Sequence, residues 1–231
     1  MGILYVVATP IGNMQDITLR AIGALKKVSI IACEDTRKTG LLLQKLNILE
    51  QKRLISLFEE NEKSRTLEVI NLLEEGSEVA IVSNAGTPTI SDPGFRLIRE
   101  CVNRQIKVIA IPGPSSVIAS LSVSGLPTDK FTFLGFLPNK SSQRIKLFTS
   151  VQDSLKIIPA TIIFFESPYR LVKSLVDLKE VFGDIEIVIA RELTKIYEEI
   201  NHDKISNFIE KYKNPKGEFV IMFNIKENAR Q

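Results

Sequence analysis

Short apolar runs rich in β-branched residues recur along this chain, each pair separated by enough residues for one helix, and that alternation constrains the fold more than any other feature. In the first half the runs are residues 3–8, 28–32, 54–57, 79–83 and 107–111. Runs this short, bounded by polar and turn-forming residues, are buried strands rather than helices. The stretches between them follow the helical repeat: Ile17, Ala21, Ala24 and Val28 form one apolar series, and Leu67, Ile70 and Leu73 another. Asn61 is the expected N-cap of the second of these helices and Gly76 its stop. A further helix is expected near Ser91-Asp92-Pro93, with the proline in the first turn, where its missing N–H costs nothing. Strand alternating with helix builds a parallel sheet covered on both faces. Ligands of such sheets bind beyond the carboxyl ends of the strands.

The second half is less regular. Apolar runs at 131–136, 161–165, 186–190 and 219–225 are joined by fewer helices, the clearest over 168–182, with Ser167 as cap, Pro168 in first position and Gly183 at its end. This pattern predicts a smaller domain around a mixed sheet. Pro112-Gly113-Pro114 interrupts both periodicities and is the expected joint, giving domains 1–112 and 113–231. The polar tail after Lys226 is expected to fray.

Composition removes several function classes. No run of about 18 uncharged apolar residues is present, so no membrane span is expected. The first apolar run is too short for the core of a secretory leader and no basic residue precedes it, which points to the cytoplasm. Two cysteines, Cys33 and Cys101, and one histidine, His202, cannot supply the usual ligands of a zinc site. The cysteines are read as small apolar residues in a reducing compartment, and His202, within the polar stretch 201–204, as a surface residue. The net charge of +3, from 30 basic and 27 acidic residues, is too slight for a nucleic-acid footprint. Any RNA argument therefore rests on local clusters.

Three loops at expected strand ends are richer in Gly, Pro and small hydroxyl residues than connection requires: residues 8–13 (ATPIGN), 83–94 (SNAGTPTISDPG) and 111–116 (IPGPSS). Such loops let backbone N–H and C=O groups approach a ligand closely; alone, each is also a plain tight turn. No GxGxxG follows the first strand and no GxxxxGK[ST] occurs, so the usual dinucleotide and P-loop routes are missing. Glu34-Asp35-Thr36-Arg37-Lys38 follows the second strand. It reads either as a helix N-terminus with an ion pair or as a polar station, one carboxylate receiving a proton from a hydroxyl and Arg37 holding a phosphate. Lys140, Arg144 and Lys146 lie in an acid-free stretch and read either as a solvated helix face or as a phosphate-contacting patch. Residues 165–170 and 191–195 end apolar runs of the second half; each is a capped helix start, an ion pair, or a further wall of a ligand site.

At these loops the sequence resembles a known family. LYVVATPIGNMQDITLRA, EDTRKTGLLL, SNAGTPTISDPG, IPGPSS, GFLPNKSSQR, FFESPYR and RELTK occur in the order found in the ribosomal RNA small subunit methyltransferase I family of the tetrapyrrole-methylase superfamily, from about Leu4 to Glu218. The resemblance implies a two-domain α/β fold with a parallel-sheet N-terminal domain, a mixed-sheet C-terminal domain and a cleft between them for S-adenosylmethionine. It also implies a homodimer. The implied activity is methylation of the ribose 2′-hydroxyl of a cytidine in the decoding region of small-subunit rRNA, free or in the 30S particle. By the same resemblance Pro10 lies against the cofactor. Gly86, Thr87, Pro88 and Ile90 contact its amino-acid and ribose parts, Ser115 and Ser116 add hydrogen bonds, and Phe165 and Leu193 line the adenine side. Members often continue beyond the strand that begins near Gly217, whereas this sequence runs to Gln231. For catalysis, Glu34 or Asp35 is expected at the hydroxyl and Arg37 at a phosphate, with Lys38, Lys140, Arg144 and Lys146 on RNA and no metal. Two rival readings share the scaffold: a precorrin-type carbon methyltransferase, and a non-catalytic RNA-binding or ribosome-assembly protein.

Overall fold

The computed structural model describes residues 1–48 and 50–225. The polar tail after Lys226 lies outside the described residues. The chain forms two compact units, Met1–Ser115 and Ser116–Gln231.

In the first unit the expected alternation appears as β1 (Ile3–Val7), α1 (Leu19–Lys27), β2 (Ile30–Cys33), α2 (Thr36–Lys45), β3 (Arg53–Ser56), α3 (Glu62–Glu74), β4 (Val79–Val82), α4 (Phe95–Asn103) and β5 (Lys107–Ile111). The strands form one sheet in the order β3-β2-β4-β1-β5, with every pairing parallel. Because side chains alternate across a strand, Leu4, Ile30, Ala32, Val79 and Ile81 pack on α3 and α4, while Tyr5, Val7, Ile31, Cys33, Ala80 and Val82 pack on α1 and α2. Each fully buried Leu or Ile contributes about 1.5–3 kcal/mol to this sandwich. Cys33 and Cys101 sit inside it as buried free thiols.

The helix ends locate the loops. Thr18 caps α1, its hydroxyl accepting from the Ala21 N–H at 3.1 Å. In α3 the buried face is Thr66, Val69, Ile70 and Leu73. Leu67 is 53% exposed, because two successive steps of three residues fall behind the 3.6-residue turn. The helix expected near Ser91-Asp92-Pro93 begins instead at Phe95, with Gly94 as N-cap and Pro93 outside it. The capping group is remote: Glu62 Oε1 accepts from the N–H groups of Gly94 and Arg96, both at 3.0 Å. That carboxylate satisfies the helix N-terminus and fixes where the helix starts.

The second unit runs α5 (Ser116–Val123), β6 (Phe131–Phe136), α6 (Ser141–Ile157), β7 (Thr161–Glu166), α7 (Leu171–Phe182), β8 (Glu186–Arg191), β9 (Glu199–Lys204), α8 (Ile205–Lys211) and β10 (Phe219–Phe223). Its sheet is mixed, in the order β6-β7-β10-β8-β9, with β6 and β7 parallel and the other pairs antiparallel. Helices α6, α7 and α8 cover one face around Phe148, Phe164, Leu175, Phe208, Ile221 and Phe223. Helix α7 starts three residues later than expected from Pro168, since residues 168–170 form a turn in which the Ser167 carbonyl accepts from both Arg170 and Leu171. Gly183 ends it as expected. Strand β9 was not foreseen: its sequence, EINHDK, is polar because it forms the edge of the sheet. Charged edges of this kind resist pairing with other chains. His202 lies on this edge and is exposed, as expected.

Candidate active site

The loops after β1, β4 and β5 are joined at the carboxyl edge of the parallel sheet. Thr9 and Gly86 form an isolated antiparallel bridge, each amide donating to the other residue's carbonyl at 2.9 and 3.0 Å. The Thr9 hydroxyl donates to the Ser83 carbonyl at 3.4 Å, and the Thr87 hydroxyl to the Pro114 carbonyl at 3.1 Å. A β-carbon on Gly113 would stand 3.0 Å from the Ala8 β-carbon, so the loops after β1 and β5 meet at backbone distance. Gly86 and Pro88 are buried in this assembly, Pro10, Thr87 and Ser115 half-buried, and Ile90 exposed. Ser116, also half-buried, opens α5 of the second unit.

The loop after β4 is held under strain. Thr89 and Ser91 adopt φ of 74° and 62°, and Gly94 a φ of 117°, where an added β-carbon would stand 2.5 Å from Ile81 Cδ1. Non-glycine residues in this region are costly and persist where surrounding contacts impose them. Between them Asp92 is half-buried, and the Ser83 hydroxyl donates to the Ala85 carbonyl at 3.1 Å. Burial, and secondarily the Glu34 charge, push the Asp92 carboxyl up to about 6, against the opposing pull of Ser83. Asn84 Oδ1, in the same loop, is buried without a hydrogen-bond partner. Sequence reasoning placed Asp92 at a helix start and inside the 83–94 loop but gave it no chemical role. The available signal was a carboxylate inside a Gly/Pro-rich loop at a strand's carboxyl end.

The neighbouring cluster divides. Asp35 is the N-cap of α2, accepting from the Arg37 N–H at 2.9 Å, and its carboxylate takes both Nε and Nη2 of Arg37 at 3.1 and 2.9 Å. The guanidinium holds the Asp35 carboxyl at about 2, which makes it a poor proton acceptor. Of the two readings of this segment, the structure thus gives Asp35 and Arg37 the cap and ion pair. Glu34 is half-buried at the end of β2, and Lys38 is exposed.

In the second unit, β7 and β8 both pair with β10, so Glu166 and Arg191 lie opposite the same residue, Phe219, at one edge. Phe165 is half-buried there, its ring edge-on to Phe133 and Phe136 at 4.8 and 5.5 Å, and Leu193 is buried just past β8. Glu166 is 1% exposed and clamps the turn beyond it. It accepts from Ser167 N–H at 2.8 Å and Ser174 Oγ at 2.6 Å, and pairs with Arg170 at 2.6 Å. The segment 191–195 holds ion pairs, Arg191 with Glu199 and Lys195 with Glu192 and Glu218.

The patch expected at Lys140, Arg144 and Lys146 needs correction. Arg144 turns inward with its side chain 4% exposed. It pairs with Asp177 of α7 at 2.6 Å and donates to the carbonyls of Pro138 and Asn139 at 3.1 and 2.8 Å. No acid is close in sequence, but one arrives from the next helix, and the guanidinium is spent on it. Lys140 and Lys146 are exposed.

Comparison with known proteins agrees with this anatomy. The family model described as Tetrapyrrole (Corrin/Porphyrin) Methylases matches residues 3–208. The "Ribosomal RNA small subunit methyltransferase I" of Thermotoga maritima is 46% identical over 229 residues, 98% of this chain and 100% of that protein. The chain belongs to the ribosomal RNA small subunit methyltransferase I family. The member from Escherichia coli O157:H7 is 44% identical over 96% of this chain and 77% of its own length, so the family includes longer chains. A solved diphthine synthase aligns over 97% of this chain and 90% of its own, with a TM-score of 0.76 at 16% identity, and so shares the fold. In this member of the family, the motifs after β1, β4 and β5 are the same loops that the Thr9–Gly86 bridge and the Thr87–Pro114 contact tie together. Among the described residues no His, Cys, Asp or Glu group is arranged to hold a metal ion, and no helix is long and apolar enough to cross a membrane.

Proposed function

We propose that this chain transfers the methyl group of S-adenosylmethionine to the ribose 2′-hydroxyl of a cytidine in the decoding region of small-subunit rRNA. The observation that carries the reading is the 46% identity, over essentially both whole chains, to a relative named as a small-subunit rRNA methyltransferase. The residues present suit the cofactor. The buried Asn84 Oδ1 lacks a donor, which an ammonium or ribose hydroxyl supplies, and the bridged loops offer backbone groups close to any ligand at the strand ends. Pro10, Gly86, Thr87, Pro88, Ile90 and Ser115 are the proposed holders. Ser116, Phe165 and Leu193 are assigned to the cofactor on the family resemblance. When bound, the cofactor supplies a methyl electrophile of its own, so the chain's task is to orient the acceptor and remove its proton. Exposed Lys38, Lys140 and Lys146 are proposed phosphate contacts for rRNA or the 30S particle. The working form is proposed to be a cytoplasmic homodimer.

Incubation with small subunits that lack the modification, followed by mass-spectrometric mapping of ribose methylation, tests the reading. One new 2′-O-methylcytidine in the decoding region is expected. Methyl label in a precorrin with none in rRNA overturns it.

A further inference from the structure

We propose that a pocket between the end of β8 and the end of α8 binds a phosphate group, held by Arg191, Lys211, Lys216 and the hydroxyl of Tyr212. The inference goes beyond the methyl-transfer reading above and does not depend on it.

Arg191, Glu199, Lys211, Tyr212, Asn214 and Lys216 line a pocket of about 290 Å³, at the lower end of the volumes that take small ligands. All of them belong to the second unit. Along β8, Arg191 follows Ile187 and Ile189 on the face of the sheet that the helices cover. Phe165, assigned to the cofactor, is the neighbour of Phe164 on β7 and so lies on the opposite face. The loop between α8 and β10 is tied to the end of β8. Arg191 Nε donates to the Lys216 carbonyl at 2.7 Å, and the Glu218 N–H to Glu192 Oε1 at 3.0 Å. Lys216 is thereby kept beside Arg191 by main-chain contacts.

The lining groups select an oxyanion. Glu199 is the acid among them, and its oxygens are already occupied. Oε1 accepts from Arg191 Nη1 at 2.7 Å, and Oε2 from Lys211 Nζ and Asn201 Nδ2, both at 3.1 Å. Lys211 above all holds this carboxyl below its ordinary value, so it is ionised at neutral pH. Arg191, Lys211 and Lys216 set against one carboxylate leave the pocket with a net charge of +2. The Tyr212 ring is fixed between Phe208, stacked at 5.9 Å, and Phe219, edge-on at 5.3 Å. Tyr212 is 6% exposed, and its hydroxyl is buried without a hydrogen-bond partner among the described residues. A buried hydroxyl left in this way is costly until an acceptor reaches it. A phosphate supplies that acceptor, and its charge answers the guanidinium and the two ammonium groups together. A neutral ligand would leave the excess charge unmatched.

The test follows the backbone amide NMR shifts of Tyr212, Asn214 and Lys216 in the full chain as inorganic phosphate replaces chloride at constant ionic strength. Saturable shifts centred on this pocket are expected. Lys216→Ala and Tyr212→Phe should each weaken phosphate binding about three- to tenfold. Tyr212→Phe should nevertheless melt no lower than the unaltered chain, since it removes a hydroxyl that has no partner. Weaker binding at undiminished stability separates a ligand contact from a packing role. Cytidine 5′-monophosphate and a short RNA without terminal phosphates identify the source. Tighter binding of the monophosphate marks a free phosphate ester as the occupant, and tighter binding of the RNA marks the nucleic-acid backbone. Shifts that do not saturate by about 50 mM phosphate, that chloride alone reproduces, or that persist at full affinity in both variants overturn the proposal.

Discussion

Truncating Arg144 separates an internal strut from an RNA contact. The guanidinium is buried against Asp177, whose side chain is 8% exposed, and it also holds the carbonyls that end the loop after β6. Removing it leaves Asp177 with the Ser141 hydroxyl at 2.8 Å as its remaining side-chain partner. A buried carboxylate stripped of its cation costs about 3–5 kcal/mol. The lost carbonyl contacts add less, because Asn139 is exposed and rehydrates. Arg144→Ala should therefore lower stability by about 3–5 kcal/mol. Replacing both partners, Arg144→Met with Asp177→Leu, should cost far less than the two single truncations summed, since no unpaired charge remains. The sequence has no tryptophan, so urea unfolding is best followed by far-ultraviolet circular dichroism. Lys140→Ala and Lys146→Ala serve as exposed controls, each within about 0.5 kcal/mol of the unaltered chain. If Arg144→Ala is as stable as those controls, or weakens RNA binding with stability intact, the strut reading is refuted.

Two further outcomes follow from the loop after β4. Gly94→Ala places a β-carbon 2.5 Å from Ile81 Cδ1 at a φ of 117°, and should destabilise by about 2–4 kcal/mol in urea melts. Gly23→Ala, in α1 with open space around it, should instead raise stability by about 0.5–1 kcal/mol. The Asp92 carboxyl is lifted from 3.8 to about 6 on folding, so the folded state holds its proton over that interval and stability falls as pH rises through it. Two pH units correspond to about 2.7 kcal/mol, which partial solvent contact reduces to about 1–2 kcal/mol. The stability of Asp92→Asn relative to the unaltered chain should therefore grow by that amount between pH 4 and 7, and a constant difference would count against a buried, lifted carboxyl.

What could be read from the sequence was set by how local its cause is. Residues 107–111 and 131–136 were expected as strands and are β5 and β6 to the residue, because apolar β-branched and aromatic content decides them within a few positions. The starts of α4 and α7 were misplaced because contacts distant in sequence hold the preceding turns: Glu62 accepts from the Gly94 N–H, and Arg170, within its own turn, donates to the Leu137 carbonyl. Strand β9 was invisible because an edge strand needs polar residues, and polar alternation resembles a loop. Arg144 was misread because its acid is supplied 33 residues later, across a helix pair. The Gly/Pro-rich loops were legible as loops at strand ends, while the lifted Asp92 carboxyl was not, since its burial arises only in the folded loop.

The reciprocal amide bridge between Thr9 and Gly86 has a consequence for how this family can vary. It joins two loops more than seventy positions apart through groups that every residue but proline carries. Their mutual alignment is thus written in main chain, and side chains on either loop can be exchanged without unhooking the other. Such a hinge-pin leaves the side chains at the rim free to change while the main-chain frame of the two loops keeps its shape.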